Sequence, residues 1–169
     1  WVIQDSGKTE IKDDLMLGPN KQNEATQQEE DAVPVGAMLE EMQWPADRAE
    51  VDVNMPFFDA SATKQEKQAA ILENGNKFTP NMGVSLARED NKTFDVQAAL
   101  SGQVTRVENV PSIGHLVEIT HDGGLVTIYY SLANVKVAKG DAVKQGDVIA
   151  QAGRNELEKE LGVHLHFEV

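Results

Sequence analysis

His164-Leu165-His166-Phe167-Glu168-Val169 is the run from which the rest of the chain is most readily read. In an extended chain alternate side chains share a face. His164 and His166 are therefore expected on one side of a strand, with Leu165 and Phe167 on the other, facing a core. Two imidazoles side by side on a rigid strand are half of a zinc site, which takes three or four ligands. The functional question is whether the remaining sequence supplies the others.

Working outward from this run, residues 77–169 consist of short apolar stretches broken by Gly, Asp and Asn. Val96–Leu100, Gln103–Val107, Leu116–Thr120 and Leu125–Tyr130 read as strands, followed by Val135–Val137, Val143 and Val148–Gln151. Asp122-Gly123-Gly124 signals a hairpin, because its tight turn needs residues that tolerate positive φ. Many short strands at regular spacing predict an antiparallel β-sandwich or barrel. Further back, Glu50-Val-Asp-Val-Asn-Met-Pro56 alternates polar and apolar residues, and Pro56 confines that strand to a sheet edge or a strand end. Thr63-Lys-Gln-Glu66 has capping-box spacing. Good helix formers predict a short helix through Leu72, with Asn74-Gly75 as its end.

The first third is different in character. Residues 1–55 hold 13 acidic and 4 basic side chains, against 15 and 11 in residues 56–169, within a total net charge of −13. Stretches such as Gln22-Asn-Glu-Ala-Thr-Gln-Gln-Glu-Glu-Asp31 hold too few apolar residues to offset the entropy of ordering. Residues 1–49 are thus read as an acidic, partly disordered tether, and 50–169 as the folded domain (strand and helix 50–76, β core 77–169). A helical patch at Val35–Met42 would place Val35, Met38, Leu39 and Met42 on one face. Trp1-Val2-Ile3 reads as the outer edge of a removed transmembrane segment, since Trp favours that interface; a soluble start is the alternative. Clustered Lys and Arg are lacking, which excludes a nucleic-acid surface. The absence of cysteine excludes disulfides and thiol chemistry. No run of about 18 apolar residues exists to span a bilayer.

Gly102-x-Val104, Val117-x-Ile119-x-His121-x-Gly123-Gly124, Thr127-x-Tyr129, Gly140-Asp-x-Val143-x-x-Gly146-x-x-Ile149 and His164-Leu-His-Phe-Glu168 occur in one order and spacing. Together they resemble the lysostaphin/LytM-type zinc metallopeptidases over residues 80–169. Phe57-Phe-Asp-Ala, the helix from Thr63, Asn91-Lys-Thr-Phe-Asp-Val and Tyr129-Tyr-Ser-Leu132 are similar to a degenerate sporulation branch of that family, and extend the match to about residue 50. The resemblance implies the duplicated-hybrid-like fold of LytM domains. In active members, which cut cell-wall peptides, zinc is held by the His and Asp of a His-x-x-x-Asp motif and by the second His of the terminal His-x-His. The first His of that pair, and another in a Tyr-x-His-Leu segment, help polarise the carbonyl and the water.

Placed on this chain, the ligand motif falls on Asn81-Met-Gly83-Val-Ser85. Asn81 stands for a ligand His, Ser85 for the ligand Asp, and Ser131 for the catalytic His. Only His164 and His166 are kept, so the resemblance implies vestigial metal positions at Asn81, Ser85 and His166 and vestigial catalytic positions at Ser131 and His164. A neutral amide and a hydroxyl are poor zinc ligands, and without the ion no bound water reaches a pKa near 7. Ser131 cannot replace an imidazole as proton carrier. The expectation is therefore no catalysis and no zinc.

Other motifs take plainer readings. His164 and His166 are expected to serve strand packing and hydrogen bonding. His121, at a strand end, is expected to bond neighbouring backbone, and His115 to lie on a strand surface. No Ser-His-Asp logic supports Ser131 as a nucleophile. The Gly140–Gly146 pattern also occurs in lipoyl carriers, but Lys139 and Lys144 lack the surroundings of a modifiable lysine, which leaves turn chemistry.

For function, the resemblance implies a non-catalytic interaction module. It would be anchored in the forespore membrane by a segment missing from this sequence, with the domain in the space between forespore and mother cell. There it would bind stage III sporulation protein AH from the opposite membrane, tether the two membranes during engulfment, and form part of a channel. A homo-oligomeric ring and a weak peptidoglycan contact are compatible with that role. The alternatives are a residual peptidoglycan metallopeptidase and an activator of a separate wall amidase.

Overall fold

The computed structural model describes residues 40–169. Eleven strands and one α-helix follow in order: β1 (Asp52–Met55), α1 (Lys64–Ala69), β2 (Ile71–Asn74), β3 (Lys77–Pro80), β4 (Val84–Ala87), β5 (Asp95–Gln97), β6 (Gly102–Val110), β7 (Gly114–Thr120), β8 (Val126–Ala133), β9 (Ala142–Val143), β10 (Val148–Ala152) and β11 (His164–Glu168). β2 and β3 form a separate hairpin; the other nine strands form one antiparallel sheet, β1-β4-β11-β8-β7-β6-β9, with β10 joining β5 to β8.

Alternation along the long strands builds the core. Val117 and Ile119 of β7 lie opposite Tyr129 and Thr127 of β8, and all four are buried. Val104, Leu86, Val96, Ile149 and Leu165 complete the cluster. The Tyr129 and Phe167 rings, opposite each other in register, pack tilted at 5.2 Å between centroids.

β8 changes partner partway along. Ile128–Tyr130 pair with β11, whereas Leu132 and Ala133 pair with β10. Between them Ser131 has φ +63°, a conformation that costs a non-glycine residue about 1–2 kcal/mol. Its carbonyl accepts from Gly153 N at 2.6 Å and its N–H donates to Ile113 O at 2.9 Å, so backbone bonds on both sides hold the turned residue.

His121 sits as a structural residue. Its Nδ1 lies 2.8 Å from Ser101 O and its Nε2 2.7 Å from Thr127 Oγ1, which is 3.1 Å from the Tyr129 hydroxyl. That hydroxyl accepts from Ala99 N at 2.9 Å, which ties the 98–101 turn to the centre of β8.

Several expectations are extended or corrected. The alternation expected of β11 holds, and beyond it both faces are buried, because Glu158 covers the side of His164 and His166. The helix keeps its capping box (Thr63 and Glu66 bond reciprocally) but ends at Ala70. Ile71–Asn74 form β2, since apolar Ile71 and Leu72 pair with Pro80 and Thr79, and Gly75 (φ +62°) turns a hairpin instead of stopping a helix. Val135–Val137 pack against the core without forming a strand. His115 is half-buried on β7. Of the stretch read as tether, residues 40–49 pack on the domain: Ala46 is in the core, Gln43 N donates to Ala99 O at 3.0 Å, and Gln97 N donates to Pro45 O at 2.8 Å. Buried Pro45 and Ala46 within the acidic sequence supply the reason. Residues 1–39, with most of the Val35–Met42 patch, lie outside the described residues, and among those described no helix is long and apolar enough to cross a membrane.

Tyr129→Phe should leave the Ala99 N–H without an acceptor in a dry core and cost about 1–3 kcal/mol. Urea unfolding should show the midpoint falling at unchanged slope.

Candidate functional site

β11 is flanked by β4 and β8, so the two histidines meet side chains from both. Ser85 lies directly opposite His166 in β4, and Tyr130 opposite it in β8. The Tyr130 and His166 rings stack at 4.5 Å, 7° from parallel. Gly83 lets the strands close: a Cβ there would overlap the Phe167 carbonyl and come within 2.8 Å of His166 Nε2.

The side chain that organises this region is one the sequence reading passed over, Glu158. It is 3% exposed and lies in the 153–163 loop leading into β11. Its Oε1 accepts from His166 Nδ1 at 2.9 Å and Ser85 Oγ at 3.1 Å. Its Oε2 accepts from Asn155 Nδ2 at 3.0 Å and His164 Nε2 at 3.1 Å. Asn155 Oδ1 in turn accepts the Glu158 N–H at 2.6 Å, fixing the start of the turn. His164 Nδ1 faces Gly162 O at 3.0 Å. On the outer side His166 Nε2 lies 3.2 Å from Glu168 Oε1, to which Tyr130 also donates. Nothing in the sequence marks Glu158, since Glu156, Glu158 and Glu160 recur at alternate positions with no feature to set one apart. Only the 3₁₀ turn at Lys159–Leu161, with Glu158 at its N-cap, and the bond from the Glu158 N–H to Asn155 Oδ1 turn the middle one inward.

The electrostatics follow from this enclosure. Burial alone would raise Glu158, but hydrogen bonds from His164 and His166 outweigh it and hold the carboxyl well below its usual range. Burial alone would lower His166, yet hydrogen bonds to Glu158 and Glu168 lift it to about 9. Glu168 is held down chiefly by its bond from His166. Tyr130 is pushed up, first by burial and then by Glu168. His166 is therefore a cation between two carboxylates.

The other two positions expected from the resemblance, Asn81 and Ser131, do not join this cluster. Asn81, fully buried before β4, donates through Nδ2 to Pro56 O at 2.9 Å and Met55 O at 3.4 Å, and its Oδ1 has no partner. Its backbone N–H donates to Ala70 O at 2.9 Å and its carbonyl accepts from Phe58 N at 2.8 Å, so Asn81 ties the helix and the end of β1 to the sheet. Ser131 is also fully buried with an unpartnered Oγ. Zinc fits this donor set poorly. One ligand position carries an amide committed to backbone carbonyls, another carries a hydroxyl, and the His166 nitrogens both donate to carboxylates. Among the described residues, no group of three or more His, Cys, Asp or Glu side chains is arranged to hold a metal ion.

The model of peptidase family M23 matches residues 79–169. Stage II sporulation protein Q of Bacillus subtilis (strain 168) is 40% identical over 167 residues, or 98% of this chain, which spans 58% of that protein's length. A chain of the solved SpoIIQ–SpoIIIAH pore forming complex superposes with a TM-score of 0.74 at 41% identity, covering 76% of this chain and 82% of that one. A zinc containing peptidase from Vibrio cholerae superposes with a TM-score of 0.59 at 26% identity, covering 76% of this chain and 36% of the other.

The buried cluster predicts a two-sided pH dependence. Glu158, lowered from 4.5, contributes stability that is present above 4.5 and is lost as the carboxyl protonates in acid. His166, raised from 6.5 to about 9, contributes stability that is complete below 6.5 and is lost as pH rises through 9. The thermal midpoint should therefore be highest between about pH 4.5 and 6.5. Glu158→Gln should cost about 3–5 kcal/mol in chemical unfolding, because it leaves a buried imidazolium short of its counter-charge, and should flatten the pH profile.

Proposed function

This chain belongs to peptidase family M23, and we propose that within the family it is a non-catalytic binding module. The observation that carries the reading is the fate of five positions. Three hold Asn81, Ser85 and Ser131, and the retained His164 and His166 are tied to Glu158. A hydrolase of this type needs a zinc-bound water of lowered pKa and a side chain to move its proton. Here the amide and hydroxyls bring no charge to an ion, and the imidazole that faces outward is a cation bonded to Glu168. No step of hydrolysis is assigned to these residues.

The partner follows from the relatives. With 41% identity to a chain of the SpoIIQ–SpoIIIAH pore forming complex, this domain is assigned a SpoIIIAH-type protein as its binding partner. The similarity to stage II sporulation protein Q supports a forespore membrane protein whose domain faces the space between forespore and mother cell. Residues 1–39, with net negative charge, are assigned the role of a tether there. Pairing across that gap would hold the membranes together and contribute one wall of a channel.

A sheet edge gives binding a physical basis. β6 runs for nine residues but pairs with β9 only at Gly102 and Gln103. Val104 is also taken up, by Asp141 O and Gly140 N at 2.8 Å each, so the edge from Thr105 onward is what offers backbone donors and acceptors for a partner strand to complete. Exposed Arg106 and Glu108, which pair with each other at 2.6 Å, guard the edge against indiscriminate addition.

Mixing the purified chain with the soluble domain of a SpoIIIAH protein should give a complex that co-elutes in gel filtration, while incubation with purified peptidoglycan should release no muropeptides. Muropeptide release, or failure of the complex to form with a folded chain, would overturn the reading. Stimulation of a wall amidase in place of complex formation would transfer the role to enzyme activation.

A further inference from the structure

We propose that Glu158 is a plug for the former metal position, so that loss of the ion is enforced by the 153–163 loop as well as by the changes at residues 81 and 85. A carboxylate has about four lone-pair sites. The Glu158 carboxylate has four donors on it: His166 Nδ1 at 2.9 Å and Ser85 Oγ at 3.1 Å on one oxygen, Asn155 Nδ2 at 3.0 Å and His164 Nε2 at 3.1 Å on the other. It is saturated and offers no electron pair to a cation. The imidazole nitrogens that face it donate hydrogens, so they too lack the lone pair a metal requires.

The loop is built to keep this carboxylate in place. Asn155 holds the Glu158 N–H at 2.6 Å as well as the carboxylate itself. Glu156 N and Leu157 N both donate to Ser112 O, at 3.2 and 3.0 Å, which pins the loop to the β6–β7 connection. At its far end Gly162, at φ +69°, lies against the Asn91 side chain, whose Oδ1 accepts Val163 N at 2.7 Å. Glu158 thus stands on an anchored turn with no measurable exposure of its side chain. The negative charge neutralises His166 from the inside, as Glu168 does from the outside. Ser85 is equally committed, lying 3.2 Å from His166 Nδ1 while donating to Glu158.

The consequence is that returning the family's ligands would not by itself return the metal. The test compares zinc affinity, by competition with a chelating dye, in the full chain carrying Asn81→His and Ser85→Asp and in the same chain with Glu158→Ala added. Near-UV circular dichroism checks the fold of each. The expected result is zinc binding at least about tenfold tighter once Glu158 is removed, the scale at which partners of metal ligands act. Equal or weaker binding without Glu158 would overturn the proposal, because the carboxylate would then be a bystander or a ligand. Absence of zinc from both folded proteins would overturn it equally. If Glu158→Ala does not fold, Glu158→Gln takes its place: it removes the charge and one acceptor oxygen, and a gain in affinity is again required. The outcome is independent of the partner-binding experiment, which uses the unaltered chain.

Discussion

A single carboxylate with four hydrogen-bond donors on it governs this half of the molecule. Glu158 draws together β4 through Ser85, β11 through His164 and His166, and its own loop through Asn155. In a metallopeptidase a cation would sit between such elements, and negative or neutral ligands would converge on it. Here the sign is inverted, with an anion at the centre and donors around it. Desolvating such a cluster is costly, so its presence is weak evidence for net stability. It is strong evidence for a constraint, because removing any one member strands the others in a place water does not reach.

The constraint extends to the sheet. β11 can lie with both faces buried only because its polar face has a complete set of partners, and that face is what the 153–163 loop covers. On the other side Ser131 keeps a left-handed backbone where β8 leaves β11 for β10. The turn persists because Ile113 O and Gly153 N fix the backbone on both sides. Such strain commonly gathers at functional sites; at this one the side chain has no partner left, and the backbone shape alone remains.

The scaffold does not depend on the residues at the expected ligand positions, for a physical reason. The M23 fold is held by cross-strand apolar pairs such as Val117 with Tyr129 and Phe167 with Tyr129, none of which involves the ligand positions. Asn81 serves as a tie between the helix, the end of β1 and the sheet. What is left is a rigid β domain with a long outer strand, suited to holding a partner.

Much of the fold was legible in the sequence, because alternation, turn residues and a capping box act over a few positions. The strands from Gln103 to Tyr130, the Asp122-Gly123-Gly124 turn and the capped helix follow from local rules. The helix end was misread because Ile71 and Leu72 suit helix and strand alike, and only pairing with Thr79 and Pro80 chose between them. The anchoring of residues 40–49 is not legible because average composition hides the buried pair Pro45 and Ala46. Motif order by itself determined the family, and residue chemistry alone says that Asn81, Ser85 and Ser131 are poor metal ligands or proton carriers. Only the tertiary structure decided what the remaining histidines do. One glutamate among three in an acidic run looks like its neighbours along the chain, and becomes distinct only when a turn carries it out of water and sets it against two imidazoles.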